Sequence, residues 1–529
     1  MTTWMSLLLT MALGLDTPTP APSAPAATPA PVEAVTPWEL APQPPDVPLP
    51  DFETPVDYLA WYRRATAYAD GDNALTYYGV FLYGDDEAEA AALSPKADSA
   101  AGEALEKLLK SPEPWYPRDH VALVNWMMGI ESRYAHVLEG GAAYHHYATR
   151  LSVYRELLAD QTPPALGNAR ALGQLLIARA WRIEDGSLDA DRLPDSLKSN
   201  LILAYQIGQG ATLEEMFFAA GHRTFVYREI SRSLASPMHT VYQWNELADA
   251  LETYDAVSIP RELAHGLYYL EASAQQLLQY FCTTSDAEGA AQVAPKINMD
   301  AVNSYAESKY PGGRFRPAGV EKLEQADPRA LAKVIHDYFE GMRRLLREPV
   351  ARDLGEKVTA LEKETIGAHP ELGLIVTPIG LPVQAAFRTE AQRRLAYLFL
   401  KQAIVFKQTG EWPESLDDLK GPRVATSRID PFTGKDMGLL AVDKVRIPYS
   451  VGPDGVDDGG TDPQDILYWG RVAPEAYLHQ NEHKPKDATE DASSNGASAT
   501  PAPASQGEHG DDAGKPKDAK QPASPATPK

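Results

Sequence analysis

The stretch from Leu381 to Gln408 reads LPVQAAFRTEAQRRLAYLFLKQAIVFKQ. Its apolar residues recur at the spacing of one helix face, at Phe387, Ala391, Leu395, Leu398 and Val405. Thr409-Gly410 follows, and glycine readily adopts the left-handed conformation that ends a helix. The pattern predicts one long helix, and the sequence differs in kind on its two sides.

Upstream of this helix, residues 51–380 are dominated by helical periodicity. Thr212 and Glu215 have the spacing of a capping box and predict a helix that runs through Ile230. Four further apolar residues fall near one face of another predicted helix: Val121, Val124, Met128 and Tyr134. No fixed repeat period supports a solenoid, but stacked helical hairpins remain open.

Downstream of the long helix, short elements replace helical periodicity. Residues 412–419 predict a turn and a short helix, residues 430–435 a turn, and residues 445–451 a short strand. The predicted fold class is therefore mainly α. A large multi-helix body of helical hairpins, residues 51–380, precedes a small α+β module, residues 381–475.

An acidic loop follows the predicted strand and reads DGVDDGGTDPQD from Asp454 to Asp465. No Lys or Arg lies between Arg446 and Arg471, and each close pair of like charges costs on the order of 1 kcal/mol even in water. Carboxylate and carbonyl oxygens suit Ca²⁺, and the loop glycines let the backbone curl around an ion. The loop predicts either a divalent cation site or an open acidic turn, with Asp457 on its solvent side.

The spacing approaches that of an EF-hand loop but does not match it. Val456 occupies the third position, Asp465 replaces the final glutamate, and a strand replaces the entering helix. The segment instead resembles the globular part of type II secretion major pseudopilins, in which a Ser-x-Gly-x-Asp-Gly run precedes an acidic loop that closes on Asp-Ile-x-x-Trp. Here the corresponding runs are residues 450–455, SVGPDG, and residues 465–469, DILYW.

The resemblance covers only about residues 381–472 and implies a calcium site. Asp454 and Asp465 are its expected ligands, with Asp462 or Ser450 contributing. The chain lacks the N-terminal prepilin motif and the apolar assembly helix of that family, so it is not expected to polymerise as a pilus subunit. The whole arrangement is similar to exported bacterial proteins that carry a helical region ahead of such a module.

Composition limits the classes of partner. The formal net charge is −24 over 529 residues, which argues against nucleic acid and against anionic lipid headgroups but favours metal cations.

Residues 1–14 read as a cleaved export signal, although basic residues are missing from its start. Residues 15–50 are a Pro/Ala-rich linker, and residues 476–529 have the composition of a disordered tail. No stretch is long and apolar enough to cross a membrane.

Signals for catalysis in the helical body are weak. Glu262 and His265 have the spacing of a carboxylate-bridged metal pair, but a second such pair is missing, and His222 is the next residue to consider. Cys282 predicts a buried, inert thiol. Eight aromatic residues at helical spacing favour core packing, with a carbohydrate or peptide groove as the alternative: Tyr58, Trp61, Tyr62, Trp115, Tyr116, Trp126, Tyr268 and Tyr269.

These patterns favour an exported, periplasmic or extracellular protein with a non-catalytic helical binding or scaffold body and a calcium-stabilised module. Two alternatives stay open. One is a hydrolase whose site lies in the helical body, and the other is a component of an envelope or secretion assembly that docks through the module. The ligand of the body is not identified by any motif.

Overall fold

The computed structural model describes residues 45–65, 73–83, 95–110, 115–142, 147, 157–160, 165–184, 187–188, 192–210, 212–235, 240–254, 259–285, 291–310, 319–442, 445–460 and 465–467. These residues are mainly helical, as the sequence predicts. The predicted export signal, most of the linker, Asp462 and the tail lie outside the described residues.

The helices of the first half are α1 Tyr58–Ala65, α2 Leu75–Tyr83, α3 Ala100–Lys110, α4 Val121–Ala142, α5 Leu166–Ala180, α6 Arg192–Gly208, α7 Leu213–Ala235 and α8 Val241–Tyr254. The helices of the second half are α9 Ile259–Phe281, α10 Met299–Lys309, α11 Pro328–Arg347, α12 Leu354–Glu362, α13 Gly380–Thr409 and α14 Val424–Ser427. Two small hairpins interrupt them, formed by β1 Ile183–Glu184 with β2 Ser187–Leu188 and by β3 Thr283–Ser285 with β4 Ala291–Val293.

Local capping explains where several helices begin and end. Ahead of α7, the Glu215 carboxylate accepts from the N–H of Thr212 at 2.9 Å, and the Thr212 hydroxyl accepts from the N–H of Glu215 at 3.3 Å. This is the predicted capping box. Helix α13 ends at Gly410, which has a φ of 79°. Its position directly after the apolar stripe predicts this left-handed cap.

Helix α4 buries a face beside the predicted one. Of the four predicted residues, Val124 is partly buried against the core, and the side chain of Tyr134 lies outside the described residues. Val121 and Met128 are 56% and 66% exposed, whereas Leu123, Met127 and Ile130 are buried. The two sets of residues run side by side along the helix, and both are apolar at helical spacing. Periodicity alone does not decide between them, because the choice depends on how the helix is rotated against α2 and α3, its packing partners.

The body is built from helices packed in pairs. Consecutive helices α6 and α7 pack against each other, α9 packs against α11, and α13 packs against α7, α8 and α9. The centre of this core is filled by large apolar and aromatic side chains, which include Trp244, Phe281, Tyr338 and Phe399.

The C-terminal part is a three-stranded antiparallel sheet with strand order β5-β6-β7, formed by Gly438–Val442, Val445–Ser450 and Ile466–Leu467. Gly438 pairs with Tyr449, and Ser450 pairs with Ile466, so the acidic loop connects the end of β6 to β7. The loop is therefore held at both ends by strand pairing.

Helix α13 belongs to the packing of both parts. One set of its neighbours lies in the body, and the other set is α14, β6 and β7. Phe432 lies beside Phe387 of α13, with ring centroids 6.4 Å apart, and both residues are buried. The apolar core runs without a break from the body to Ile447 and Ile466.

Among the residues that the structure describes, none of the helices has the length and apolar character needed to span a membrane.

Candidate functional site: the acidic loop

The backbone of the acidic loop turns sharply at glycines. Gly452, Gly455, Gly459 and Gly460 have positive φ values of 74°, 68°, 72° and 76°. Side chains are disfavoured at such angles, and a Cβ on Gly460 would also lie 3.2 Å from the Tyr449 ring. Glycine at these positions lets the loop fold back over the end of the sheet.

Asp465 is the buried acid of the loop. It is 6% exposed, and its Oδ2 accepts a hydrogen bond from the N–H of Gly460 at 2.8 Å. Its Oδ1 is buried and has no hydrogen-bond partner among the described parts of the chain. Burial, followed by repulsion from Asp458, Asp457 and Asp454, raises the pKa of this carboxyl. The hydrogen bond from Gly460 lowers the pKa, but it does not outweigh burial and repulsion, so the described residues compensate an ionised carboxylate here only in part.

The other expected ligands occupy different settings. Ser450 is fully buried, and its Oγ accepts from the N–H of Gly452 at 3.2 Å. Asp454 is exposed, and its Oδ1 accepts from the N–H of Val456 at 3.2 Å. Asp462 lies outside the described residues. The structure thus describes three of the four predicted ligands.

Asp457 is exposed, as expected, yet it also anchors the loop. The Tyr449 hydroxyl donates to its Oδ1 at 2.6 Å, and the N–H of Gly459 donates to the same oxygen at 3.0 Å. The hydrogen bond from Tyr449, supported by the one from Gly459, lowers the pKa of Asp457. Sequence reasoning missed this contact, because nothing in the spacing links Tyr449 to one aspartate among five.

Asp430 supports the loop from the preceding turn. It is buried, its Oδ1 accepts from the N–H of Phe432 at 2.7 Å, and its Oδ2 accepts from the N–H of Val451 at 2.9 Å. The second bond fixes the point at which β6 ends and the loop begins. The predicted turn at residues 430–435 therefore positions the loop.

The donor set suits a hard cation but is incomplete in what is described. No group of three or more His, Cys, Asp or Glu side chains among the described residues is placed to hold a metal ion. The orphan oxygen of Asp465 does fit such an ion. The remaining ligands would have to be the Ser450 hydroxyl, carbonyl oxygens and acids that move or lie outside the described segments.

Glu262, His222 and His265, the residues considered for a hydrolase, each contact different side chains and do not form one site. Glu262 is buried and receives two hydrogen bonds from the Arg223 guanidinium, at 2.5 and 2.9 Å. A cavity of about 30 Å³ adjoins this pair, which is room for about one water molecule. The geometry is that of a buried ion pair that holds α7 against α9.

His222 and His265 contact other residues and not Glu262. His222 is buried, and its Nε2 lies 2.7 Å from Oδ1 of Asn200. Burial, followed by Arg170 and Arg223, lowers the pKa of His222 to about 3. His265 is half-buried, and its ring contacts the edge of Tyr268 with centroids 6.5 Å apart.

Two other predictions about the body can be compared with the structure. Cys282 is a buried free thiol whose pKa is raised to about 12 by burial, as an inert cysteine requires. Six of the eight noted aromatic residues are buried in core clusters: Tyr58, Trp61, Tyr62, Trp115, Tyr268 and Tyr269. Core packing is thus the main role of this set.

A scan against protein-family models and searches of curated proteins and of solved structures found no match to this chain. The resemblance to pseudopilins therefore depends on the residues of the loop and its flanking turns.

Proposed function

We propose that the protein is an exported binding or scaffold protein whose C-terminal module is stabilised by calcium. The helical body provides the binding surface, and the acidic loop between β6 and β7 provides the calcium site. The separate partners of Glu262, His222 and His265 support a structural role for those residues. The net charge of −24 favours cations as the ligands of the surface.

One observation carries the calcium proposal. Asp465 buries a carboxylate oxygen that receives no hydrogen bond from any residue the structure describes, and three other aspartates raise its pKa by repulsion after burial itself. Leaving a buried polar atom unsatisfied costs about 1–3 kcal/mol, and more when the group is charged. A bound divalent cation removes this cost, because it neutralises the charge and coordinates the free oxygen.

Thermal unfolding of the full chain tests the proposal, with calcium, magnesium or a chelator added. At about 10 mM calcium, 100 times a Kd near 10⁻⁴ M, stabilisation should be about 2.7 kcal/mol. Magnesium should stabilise less, because it demands compact octahedral geometry and releases its water reluctantly. An unfolding curve that is the same in calcium and in chelator contradicts the proposal.

A matched pair of variants locates the site. Asp465→Asn should abolish the calcium response and leave the melting temperature in chelator unchanged or higher, because the amide removes the uncompensated charge and keeps an oxygen for Gly460. Glu324→Ala removes one exposed carboxylate elsewhere in the chain and should respond to calcium as the wild type does. A calcium response that persists in both variants would mean that calcium acts only through general charge and would contradict the site.

Export is tested by N-terminal sequencing. Protein collected outside the cytoplasm should begin at Leu15, after cleavage behind Gly14. Material that starts at Met1 and stays wholly inside the cytoplasm would contradict export without affecting the calcium result.

A further inference from the structure

The three-stranded sheet of the C-terminal part has an open edge. Strand β5, Gly438–Val442, is the outer strand, and among the described residues it pairs with β6 alone. Ala441 is exposed, and the other four residues are half-buried. The strand reads GLLAV, so it carries none of the charges or prolines with which proteins usually protect an edge from a further strand.

The register shows which backbone groups point out of this edge. In an antiparallel pair, every second residue exchanges hydrogen bonds with its partner, and the residues between direct their N–H and C=O groups to the other side. Leu439 lies opposite Pro448, which has no N–H, so this pair cannot exchange both bonds. The N–H of Met437, two residues earlier, donates to the carbonyl of Arg428 at 2.6 Å and not to β6. Leu439 and Ala441 therefore direct their backbone groups away from β6.

These outward groups offer what an extended peptide needs. Among the residues that the structure describes, no hydrogen bond reaches the outward N–H or C=O of Leu439 or Ala441 from outside β6. Two residues of this kind supply two donors and two acceptors in alternation. A peptide that adds to a sheet as a further strand pairs with such a row through its own main chain.

The opposite edge of the sheet is protected. The described pairing of β6 with β7 ends at Tyr449, and the next residue along β6 is Pro448, whose backbone faces this edge by the same alternation. Proline protects an edge, because it has no N–H for a further strand. Protection of this edge but not of β5 favours a role for β5 in receiving a strand.

The surface around β5 is acidic. Within residues 428–442 and 445–460, the only exposed basic residue is Lys435, whereas four aspartates are exposed: Asp436, Asp454, Asp457 and Asp458. Asp457 lies near the start of β5, because the Tyr449 hydroxyl donates to it at 2.6 Å and the Tyr449 ring lies against Gly438. A strand that adds to β5 meets this acidic end, so basic residues at its matching end are favoured.

A second copy of the chain fits this edge poorly. Strand β5 has five residues and is about 17 Å long, so two copies paired along it bury far less than the roughly 1,200 Å² of the smallest stable interfaces. Each copy would also bring a net charge of −24. The edge instead suits a short extended segment with positive charge.

We propose that β5 binds an extended segment of a partner protein, which adds antiparallel to its outer edge and carries basic residues just after the paired stretch. Antiparallel addition continues the pattern of the sheet, and it places the C-terminal end of the segment beside Gly438 and Asp457. β-Branched residues suit the paired stretch. The proposal requires neither the calcium site nor a ligand of the helical body.

Calorimetric titration of the full chain with capped peptides tests the proposal, in chelator so that the result does not depend on calcium. TVTVTVKK has the expected features and should bind with a Kd between about 10⁻⁵ and 10⁻³ M, as a small contact allows. TVTVTVEE should bind at least about tenfold more weakly, because like charges replace opposite ones. TVPPTVKK lacks two consecutive N–H groups, cannot pair in either register, and should not bind.

The peptides also define what contradicts the proposal. Absence of binding by TVTVTVKK, or binding of TVPPTVKK with the same affinity, would overturn the addition of a strand. Equal affinity for TVTVTVKK and TVTVTVEE would overturn the basic partner.

A pair of variants at Ala441 places the binding on β5. Ala441→Pro removes an outward N–H that β6 does not use, so the Kd for TVTVTVKK should rise at least about tenfold. Ala441→Thr keeps the N–H and suits a strand, so it should leave the Kd unchanged. Melting curves show whether each variant folds, and TVPPTVKK tests the same bonds in the unchanged protein.

Two results would overturn this placement. One is equal affinity of Ala441→Pro and the wild type for TVTVTVKK. The other is a wild-type dimer in sedimentation that Ala441→Pro disperses, because the occupant of the edge would then be a second copy of the chain.

Discussion

In the helical body, Glu271 is fully buried between Arg343 and His336, at 2.5 and 2.7 Å, whereas Asp465 in the acidic loop is buried beside other acids. Burial outweighs these two partners and raises the pKa of Glu271. Glu390 of α13 is also buried beside basic residues, with the opposite result. Burial alone would raise its pKa, but Arg393 and Arg394 lower it to about 2. The two carboxylates of the body thus have basic partners within 3 Å, whereas the described residues of the loop include no basic side chain. A bound cation stabilises the protein most at a carboxylate that has no basic partner.

The largest expected effect lies at the buried pair of the body. Glu271→Leu leaves the Arg343 guanidinium, 1% exposed, without its buried partner and should lower the free energy of unfolding by about 3–5 kcal/mol. Denaturant unfolding measures this loss. The double variant Glu271→Leu/Arg343→Met should recover most of it, because both charges are then removed.

The control for this pair uses the same arginine. Glu340 contacts Arg343 Nε at 3.0 Å from a side chain that is 36% exposed, so Glu340→Ala should cost at most about 1 kcal/mol. If Glu340→Ala and Glu271→Leu cost the same, burial does not distinguish the ion pairs, and the contrast with the loop loses its basis.

A second effect is a pH dependence set by Glu390. In the folded protein the pKa of Glu390 is about 2, below the roughly 4.3 of an unfolded glutamate. Ionised Glu390 therefore stabilises the fold at pH values above about 4.3. This contribution should disappear as the pH falls from about 5 to 2. Glu390→Gln should flatten that part of a plot of unfolding free energy against pH. An unchanged acid slope in the variant would show that other carboxylates account for it.

The smallest effect is expected in the loop. Tyr449→Phe removes the hydroxyl that donates to Asp457 at 2.6 Å, and it should cost about 1 kcal/mol in chelator. Since the loop is exposed at Asp457, water replaces most of the lost bond. A loss as large as that of Glu271→Leu would place the loop among the tightly packed parts of the protein.

The sequence predicts what depends on neighbours along the chain. The capping box of Thr212 and Glu215, the cap at Gly410 and the strand before the loop are all confirmed. Each follows from residue types a few positions apart, whose hydrogen bonds form wherever the segment lies in the fold.

Long-range partners are not predictable in this way. Glu271 and Arg343 are 72 residues apart, and Asp430 and Val451 are 21 apart. A glutamate on an apolar helix face does not indicate which arginine will reach it, because that depends on how two helices pack.

The position of α13 also restricts how the gene can change by recombination. Leu395 and Leu398 of this helix are wholly buried, and the helix is covered by α7, α8 and α9 from upstream sequence and by β6 and β7 from downstream sequence. A crossover within codons 380–409 would give each descendant protein part of a helix with an uncovered apolar face, which promotes aggregation. A crossover beside the helix would remove half of its neighbours. The body and the loop are therefore expected to be inherited together, as a single unit of descent.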